Sequence, residues 1–293
     1  MFRLAHLSDA HIGPLPIPRK RDLMGKRLTG YINWRRRSRI HNMDVLARIV
    51  EDIHAQKPDH VAMTGDILNI GLPAEFPFAS AWLETLGSAQ DVSFVPGNHD
   101  AYVRSSLAHL HETFAPWTQA DESAANLYPY LRVRDGIALI GVNSGVPTAP
   151  LLASGKLGPE QRDRLEIALA ETGARGLMRV VMIHHPPHRK GATPGRGLSD
   201  SRRFEQLIGE YGAELIIHGH NHRHSIAYIA GPKGPTPVVG VASASAVPGT
   251  ERHRAAWHMY EIARDGDRWK VDGVIRGMKS DDSGVIELGR FSL

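Results

Sequence analysis

The chain contains no cysteine. A disulfide framework, a thiolate nucleophile and thiolate metal ligands are therefore excluded. A reducing cytoplasm is compatible with that absence, and a cytoplasmic location is the expectation. No uninterrupted apolar run approaches ~18 residues, so no segment reads as a membrane-spanning helix. The residues after Met1 lack a charged n-region, an apolar h-region and a small-residue cleavage site, so they read as the start of a strand and not as a leader. No internal repeat or low-complexity tract is visible. The only linker-like stretch, residues 231–237, is short enough for a hairpin loop.

Apolar residues are plentiful. They make up 42% of 293 residues, ample for a core of one large domain or two small ones. Charge is unevenly placed. Between Arg19 and Arg39 stand nine Lys and Arg against one acid, Asp22, so this segment carries +8 while the whole chain carries +4. The rest of the protein is net acidic, and the basic character is local. Leu23, Met24, Leu28, Tyr31, Ile32 and Trp34 are interleaved with these charges. The segment reads as an insertion at about 14–39, partly helical, rooted near the first strand. Its readings are a solvated face, a contact with an anionic membrane surface or lipid, or a contact with nucleic acid.

The stretch around which the rest is organised is Pro96-Gly97-Asn98-His99-Asp100. It follows the apolar run 92–95, and the Pro-Gly turn leaves an amide, an imidazole and a carboxylate at a strand's carboxyl end, where α/β sheets build sites. Four other blocks also follow short apolar runs: Asp9-Ala10-His11, Gly65-Asp66, His184-His185-Pro186 and Gly219-His220-Asn221-His222. These five strand ends are expected to meet at one sheet edge. Carboxylate and amide oxygens mixed with imidazoles suit Mn, Fe, Zn or Co better than Ca or Mg. The donors are too many for one tetrahedral ion and about right for two.

This pattern resembles the calcineurin-like metallophosphoesterase family, written D-x-H, G-D, G-N-H-D, H, G-H-x-H, with all five blocks in order from Asp9 to His222. The bacterial cyclic-nucleotide phosphodiesterases are the branch it is most similar to. The resemblance implies two divalent transition-metal ions and hydrolysis of a phosphate ester by a metal-activated water. It implies that Asp9, His11, Asp66 and His222 hold the first ion. Asp66 would bridge to a second ion completed by Asn98, His184 and His220. His99 would be the unligated catalytic histidine, with Asp100 orienting it. His184, two before a proline, is favoured over His185 as the ligand, which leaves His185 facing the substrate. Asn143 and Arg189 are further substrate-binding candidates, with a plain turn and a solvated loop as the competing readings. Gly65-Asp66 continues as Ile67-Leu68-Asn69, and His99 is followed by Asp100. Both features depart from the protein phosphatases of this superfamily and favour a phosphodiesterase. A pyrophosphatase or phosphodiesterase acting on a lipid-linked or nucleic-acid substrate is the alternative. A non-catalytic binding scaffold is the reading of another class, and such scaffolds have typically lost ligands that this chain keeps.

The order of elements predicts an α/β fold, a four-layer αββα sandwich of two mixed β-sheets flanked by helices, as a single domain over residues 1–293. Helices are expected over about 40–56, 73–86, 159–172 with Gly173 as C-cap, and from Asp200 or Ser201 to Tyr211. Asp135-Gly136 predicts a hairpin between strands at 131–133 and 137–142. After His222 helix signals vanish, and residues 223–293 are expected to form the second sheet.

Overall fold

The computed structural model describes residues 1–37, 40–122, 127–247, 253–266, 268–281 and 283–293. Arg39 of the basic run, the side chain of Arg37 and the end of the 101–126 stretch lie outside the described residues. In chain order the elements begin with β1 (Phe2–Leu7), α1 (Lys26–Arg37), α2 (Met43–Gln56), β2 (His60–Met63), α3 (Glu75–Leu86) and β3 (Val92–Phe94). Next come α4 (Ser106–Thr113), α5 (Ala115–Thr118), β4 (Tyr130–Arg134), β5 (Ile137–Gly141), α6 (Pro159–Ala174), β6 (Met178–Met182) and α7 (Ser201–Tyr211). The chain closes with β7 (Leu215–His218), β8 (Ser225–Ile229), β9 (Thr236–Gly240), β10 (Ala256–Asp265), β11 (Arg268–Met278) and β12 (Val285–Ser292).

The strands make two six-stranded sheets, in orders β12-β11-β10-β1-β2-β3 and β4-β5-β6-β7-β9-β8. In the first, β1, β2 and β3 are parallel and β10 to β12 are antiparallel additions. In the second, β5, β6, β7 and β9 are parallel, with antiparallel β4 and β8 at the edges. The expected four layers are present, because the buried side chains fall into three slabs, with a small fourth cluster of Leu15, Ile70, Leu72 and Tyr102 beside them. Val45, Leu46, Ile49 and Ile53 of α2 and Phe76 and Leu83 of α3 pack on Leu7, Met63 and Phe94 of the first sheet. Leu4, Tyr130, Leu139, Val180, Met182, Leu215 and Tyr260 fill the space between the sheets. Leu165 and Leu169 of α6 and Phe204 and Ile208 of α7 cover Val181, Ile183 and Ile216. Alternation does the sorting: Val180 and Met182 face the other sheet while Val181 and Ile183 face helices. Each fully buried aliphatic side chain is worth ~1.5–3 kcal/mol, so these slabs dominate the stability.

The C-terminal region differs from expectation. It does not form the second sheet. β8 and β9 complete the second sheet, β10 to β12 extend the first, and the second sheet is founded earlier, by β4 to β7. The period-2 pattern of these strands names a buried face but not the neighbour that covers it. Helix boundaries shift for local reasons. The carboxylate of Glu75 accepts from the amides of Asn69, Ile70 and Leu72, so α3 starts there and Pro73 stays in the preceding turn. α2 starts at Met43 because Asn42 caps it, accepting from the Asp44 and Val45 amides. Gly173 lies inside α6, where a Cβ would sit 2.7 Å from Arg179 Nη1; the glycine is there for packing. The Asp135-Gly136 hairpin forms as expected, with both residues at positive φ and Arg134 paired to Ile137.

Candidate metal centre

Every ligand block sits where a strand stops. Asp9 and His11 follow β1, Asp66 follows β2 and Asn98 follows β3, all at the carboxyl edge of the first sheet. His184 follows β6, and His220 and His222 follow β7, at the corresponding edge of the second sheet. The site therefore straddles two sheets rather than occupying one edge. Nine non-glycine residues have positive φ among the described residues, and five of them are Asp9, His11, Asp66, His220 and His222. Such conformations cost energy and gather at functional sites, where surrounding structure holds them. Two glycines let the loops approach. A Cβ on Gly97 would sit 2.1 Å from Asp66 Oδ1, and one on Gly219 would sit 2.5 Å from Asp9 Oδ2.

The donor atoms converge. Single donor atoms of Asp9, His11 and His222 lie within 4.8 Å of one another, as do those of Asp9, Asp66 and His184, of His11, Asp66 and His99, and of His184, His185 and His220. Asp9, His11, Asp66 and His184 each belong to two of these groups, so the four groups are linked, and Asp66 is grouped with His11 in one and with His184 in another. His222 Nε2 is 3.1 Å from Asp9 Oδ1, and His184 Nε2 is 3.2 Å from Asp66 Oδ2. His220 Nδ1 faces His184 Nε2 at 3.3 Å. Donors held at ~2.0–2.2 Å by one ion stand about 2.8–3.6 Å apart, a range that includes these spacings. Asp9 Oδ1 and Asn98 Oδ1 are buried and accept no hydrogen bond, despite the nearness of His222 to the former. The residues present thus fit divalent ions. Nitrogen and oxygen donors without sulfur suit the borderline transition metals.

The outer partners fix the tautomers. His184 Nδ1 donates to the Thr64 carbonyl at 2.7 Å and His11 Nδ1 to the Leu68 carbonyl at 3.1 Å, which leaves Nε2 of each as the lone-pair nitrogen. The His220 amide donates to Asp9 Oδ2 at 3.0 Å and the His99 amide to Asp66 Oδ1 at 2.8 Å, aiming both carboxylates. Burial alone would raise the carboxyls of Asp9 and Asp66. His222 beside Asp9 and His184 beside Asp66 outweigh it and hold both well below the usual range. Burial likewise opposes charge on His184, yet Asp66 lifts it to about 9. Two buried anions demand positive charge at this point, which is the demand a pair of cations meets.

The other expected site residues divide. His185 is buried against His184 and His220, with its ring nitrogens on Ser144 Oγ at 2.8 Å and the Ala153 carbonyl at 3.2 Å. Asp100 does not orient His99. Its carboxylate accepts from the amides of Asp66 (2.7 Å), Gly97 (2.8 Å), Ile67 (3.0 Å) and Leu68 (3.0 Å), stapling the loop after β2 to the loop after β3. The partner of His99 Nδ1 is the Asn69 carbonyl. Side chains adjacent in sequence diverge here, so neighbourhood in the motif does not become contact. Asn143 Oδ1 closes a turn onto the Gly145 amide at 2.8 Å, the plain-turn reading. Arg189 pairs with Glu205 at 2.9 Å and its side chain is 70% exposed, the solvated-loop reading.

Three side chains at this centre carry no motif signal. The His41 ring lies 4.5 Å from that of His11 and 5.8 Å from that of His222, with Nδ1 2.7 Å from Ser245 Oγ. It precedes a helix, so a search of strand ends passes over it. Tyr102 packs its ring 5.6 Å from that of His99. Lys26 sits on the Tyr102 ring at 4.5 Å. Lys26 and Arg27 count towards the basic patch in sequence, but both are buried, so the patch is smaller on the surface than in composition.

A model of the calcineurin-like phosphoesterase family matches residues 2–224. A probable cyclic nucleotide phosphodiesterase from Synechococcus sp. is 26% identical over 227 residues, covering 76% of this chain and 79% of that protein. The crystal structure of a dimetal phosphatase from Danio rerio superposes with a TM-score of 0.61 at 15% identity, over 98% of each chain. A purple acid phosphatase from yellow lupin superposes with a TM-score of 0.59 at 13% identity, over 99% of this chain and 53% of that one. At such identities the two structures are a likeness of fold.

Proposed function

The chain belongs to the calcineurin-like phosphoesterase family, and from that premise we propose that it is a phosphodiesterase working with two divalent transition-metal ions. The observation that carries this reading is the linkage of the donor groups, in which Asp66 meets His11 in one group and His184 in another. In the proposed assignment Asp9, His11, Asp66 and His222 hold one ion, and Asp66, Asn98, His184 and His220 hold the other. Two such ions, when bound, would make hydroxide available near neutral pH and offset the charge of phosphoryl oxygens. The chain's own residues do the rest. Asp66 and Asp9, held by the amides of His99 and His220, keep their oxygens aimed inward. His99 has Nδ1 committed to the Asn69 carbonyl, so as the imidazolium it would give its Nε2 proton to the leaving oxygen and be left neutral. Help of that kind is worth ~10²–10⁴ in rate. His185, fixed by Ser144 and Ala153, forms a wall of the site beside His184.

Diester preference is supported by His99-Asp100 standing where the protein phosphatases carry a different signature, and by the Synechococcus relative named as a probable cyclic nucleotide phosphodiesterase. The test is a comparison, on Mn-loaded protein, of bis(p-nitrophenyl) phosphate with p-nitrophenyl phosphate. The diester is expected to have the higher kcat/KM. A monoester far ahead would make the protein a phosphatase. A second partner rests on a separate observation. Leu28 and Ile32, 47% and 44% exposed, share the outward side of α1 with Arg35 and Arg36. That face suits an anionic lipid surface, and with it a lipid-linked ester as substrate. Among the described residues no helix is long and apolar enough to cross a membrane.

A further inference from the structure

The basic insertion is not a loose arm. Arg27 donates to the carbonyls of Ile70 (3.3 Å) and Gly71 and to Ser106 Oγ (3.2 Å). Gly30 lies so close to Tyr102 that a Cβ would sit 2.1 Å from its hydroxyl oxygen. Tyr31 and Trp34 pack onto Leu15, Ile70, Leu72 and Tyr102. The segment that receives α1, Asn69-Ile70-Gly71, is the continuation of the loop that starts at Asp66 and holds His99 through Asn69. α1 is therefore tied to the wall of the metal centre, and its first residue, Lys26, is fixed in place.

Lys26 is unusual among the cations of this protein. It is only 9% exposed. Among the described residues no carboxylate lies within 4.0 Å of its ammonium, and where buried Arg27 and Arg132 also lack a carboxylate they spread their N–H groups over three and four oxygen acceptors. The protein acceptor of Lys26 is Thr148 Oγ1 at 2.6 Å, and that hydroxyl spends its own proton on the Leu152 carbonyl at 2.7 Å. The remaining N–H groups have no acceptor in the described residues. The Tyr102 ring stands 4.5 Å beneath the ammonium and 5.6 Å from the His99 ring, and the acid whose charge reaches Lys26 is Asp66. A desolvated charge without a counter-ion opposes folding. Here the charge stands on the same tyrosine ring that packs against His99. Burial draws its pKa down to about 8, which leaves it mainly charged at neutral pH.

We infer that Lys26 is an anion-binding residue of the substrate site, taking a phosphoryl oxygen of the bound ester, so that the inserted helix completes the site. This rests on the dinuclear phosphoesterase reading above. The substrate's negative charge is the missing counter-ion, and Thr148 and Tyr102 hold the ammonium ready for it. A hydrogen bond between charged groups in such a setting changes affinity about 10- to 100-fold.

The probe is inorganic phosphate, titrated calorimetrically into the Mn-loaded full chain. Lys26→Met and Lys26→Gln are both expected to keep two Mn per chain and an undiminished Tm, because each removes an unpaired buried charge. Both are expected to bind phosphate about 10- to 100-fold more weakly. Arg21→Ser, at an exposed cation of the same basic segment, is expected to bind it like the wild type. Variants with two Mn and phosphate affinity within twofold of the wild type would overturn the inference alone. So would an equal loss in Arg21→Ser, because general basicity would then be responsible. A wild type that takes up no Mn, or binds no phosphate when loaded, would overturn the dinuclear reading and this inference with it.

Discussion

Asp100→Asn separates two roles for the carboxylate that follows His99. In the structure Oδ2 accepts from the Asp66 and Gly97 amides and Oδ1 from the Ile67 and Leu68 amides. Asparagine keeps one oxygen, so it serves one pair and turns an NH2 towards the other. Two buried N–H groups then lose their acceptor, at ~1–3 kcal/mol each, for a loss of ~2–6 kcal/mol. The amides concerned belong to the loops that carry Asp66 and Asn98, so Mn affinity should fall as well. Urea unfolding of metal-stripped wild type and variant measures the first effect without the stabilisation that bound ions add. Mn titration of both proteins measures the second. If Asp100 served only to orient His99, the variant would unfold within 1 kcal/mol of the wild type, hold Mn normally and lose turnover alone. That result would refute the staple.

His99→Ala, which leaves the proposed ligands intact, should keep its Mn and lose ~10²–10⁴ in kcat, most for poor leaving groups; metal loss would make His99 a ligand. His60 is buried with Nε2 on Ser93 Oγ, and burial, helped by Arg132 and Arg134 and opposed by Asp121, lowers its pKa to about 3. Its folded pKa lies below the unfolded value, so its share of the stability is complete above pH 6.5 and is lost as pH falls from there towards 3, by ~1.4 kcal/mol per unit. Urea unfolding at pH 7.5 and 5.5 should show a smaller difference for His60→Gln than for the wild type; equal differences would contradict this. The wild type should sediment with vesicles of anionic lipid at low salt, less at high salt and little with neutral lipid. Binding to single-stranded nucleic acid instead would assign the Arg35–Arg36 face to a polynucleotide.

The candidate metal centre is legible in the sequence because its chemistry is concentrated. Each ligand block follows a short apolar run, and each run proves to be a strand ending at the site. The layers are legible from alternation, and the hairpin at Asp135-Gly136 from the need for two positive φ angles. What stays hidden depends on partners. β10 is as apolar as a strand of either sheet, and only its pairing with β1 puts it in the first. β12 escapes notice because its side chains are mostly exposed and Glu287, Gly289 and Arg290 interrupt its pattern. His41, Tyr102 and Lys26 reach the centre from helices and loops, and no periodicity marks them. The staple at Asp100 is a set of side-chain-to-backbone bonds, which leave no trace in residue spacing.

The central claim, two ions sharing Asp66, is tested most directly by counting metal. Wild-type protein and Asp66→Ala would be stripped with chelator, reloaded with Mn, freed of excess and assayed for bound Mn and for hydrolysis of bis(p-nitrophenyl) phosphate. The account predicts close to two Mn per wild-type chain, activity that disappears on stripping and returns on reloading, and an Asp66→Ala protein that has lost metal together with turnover. Full activity in the stripped wild type, or an Asp66→Ala protein that binds two Mn like its parent, would contradict it.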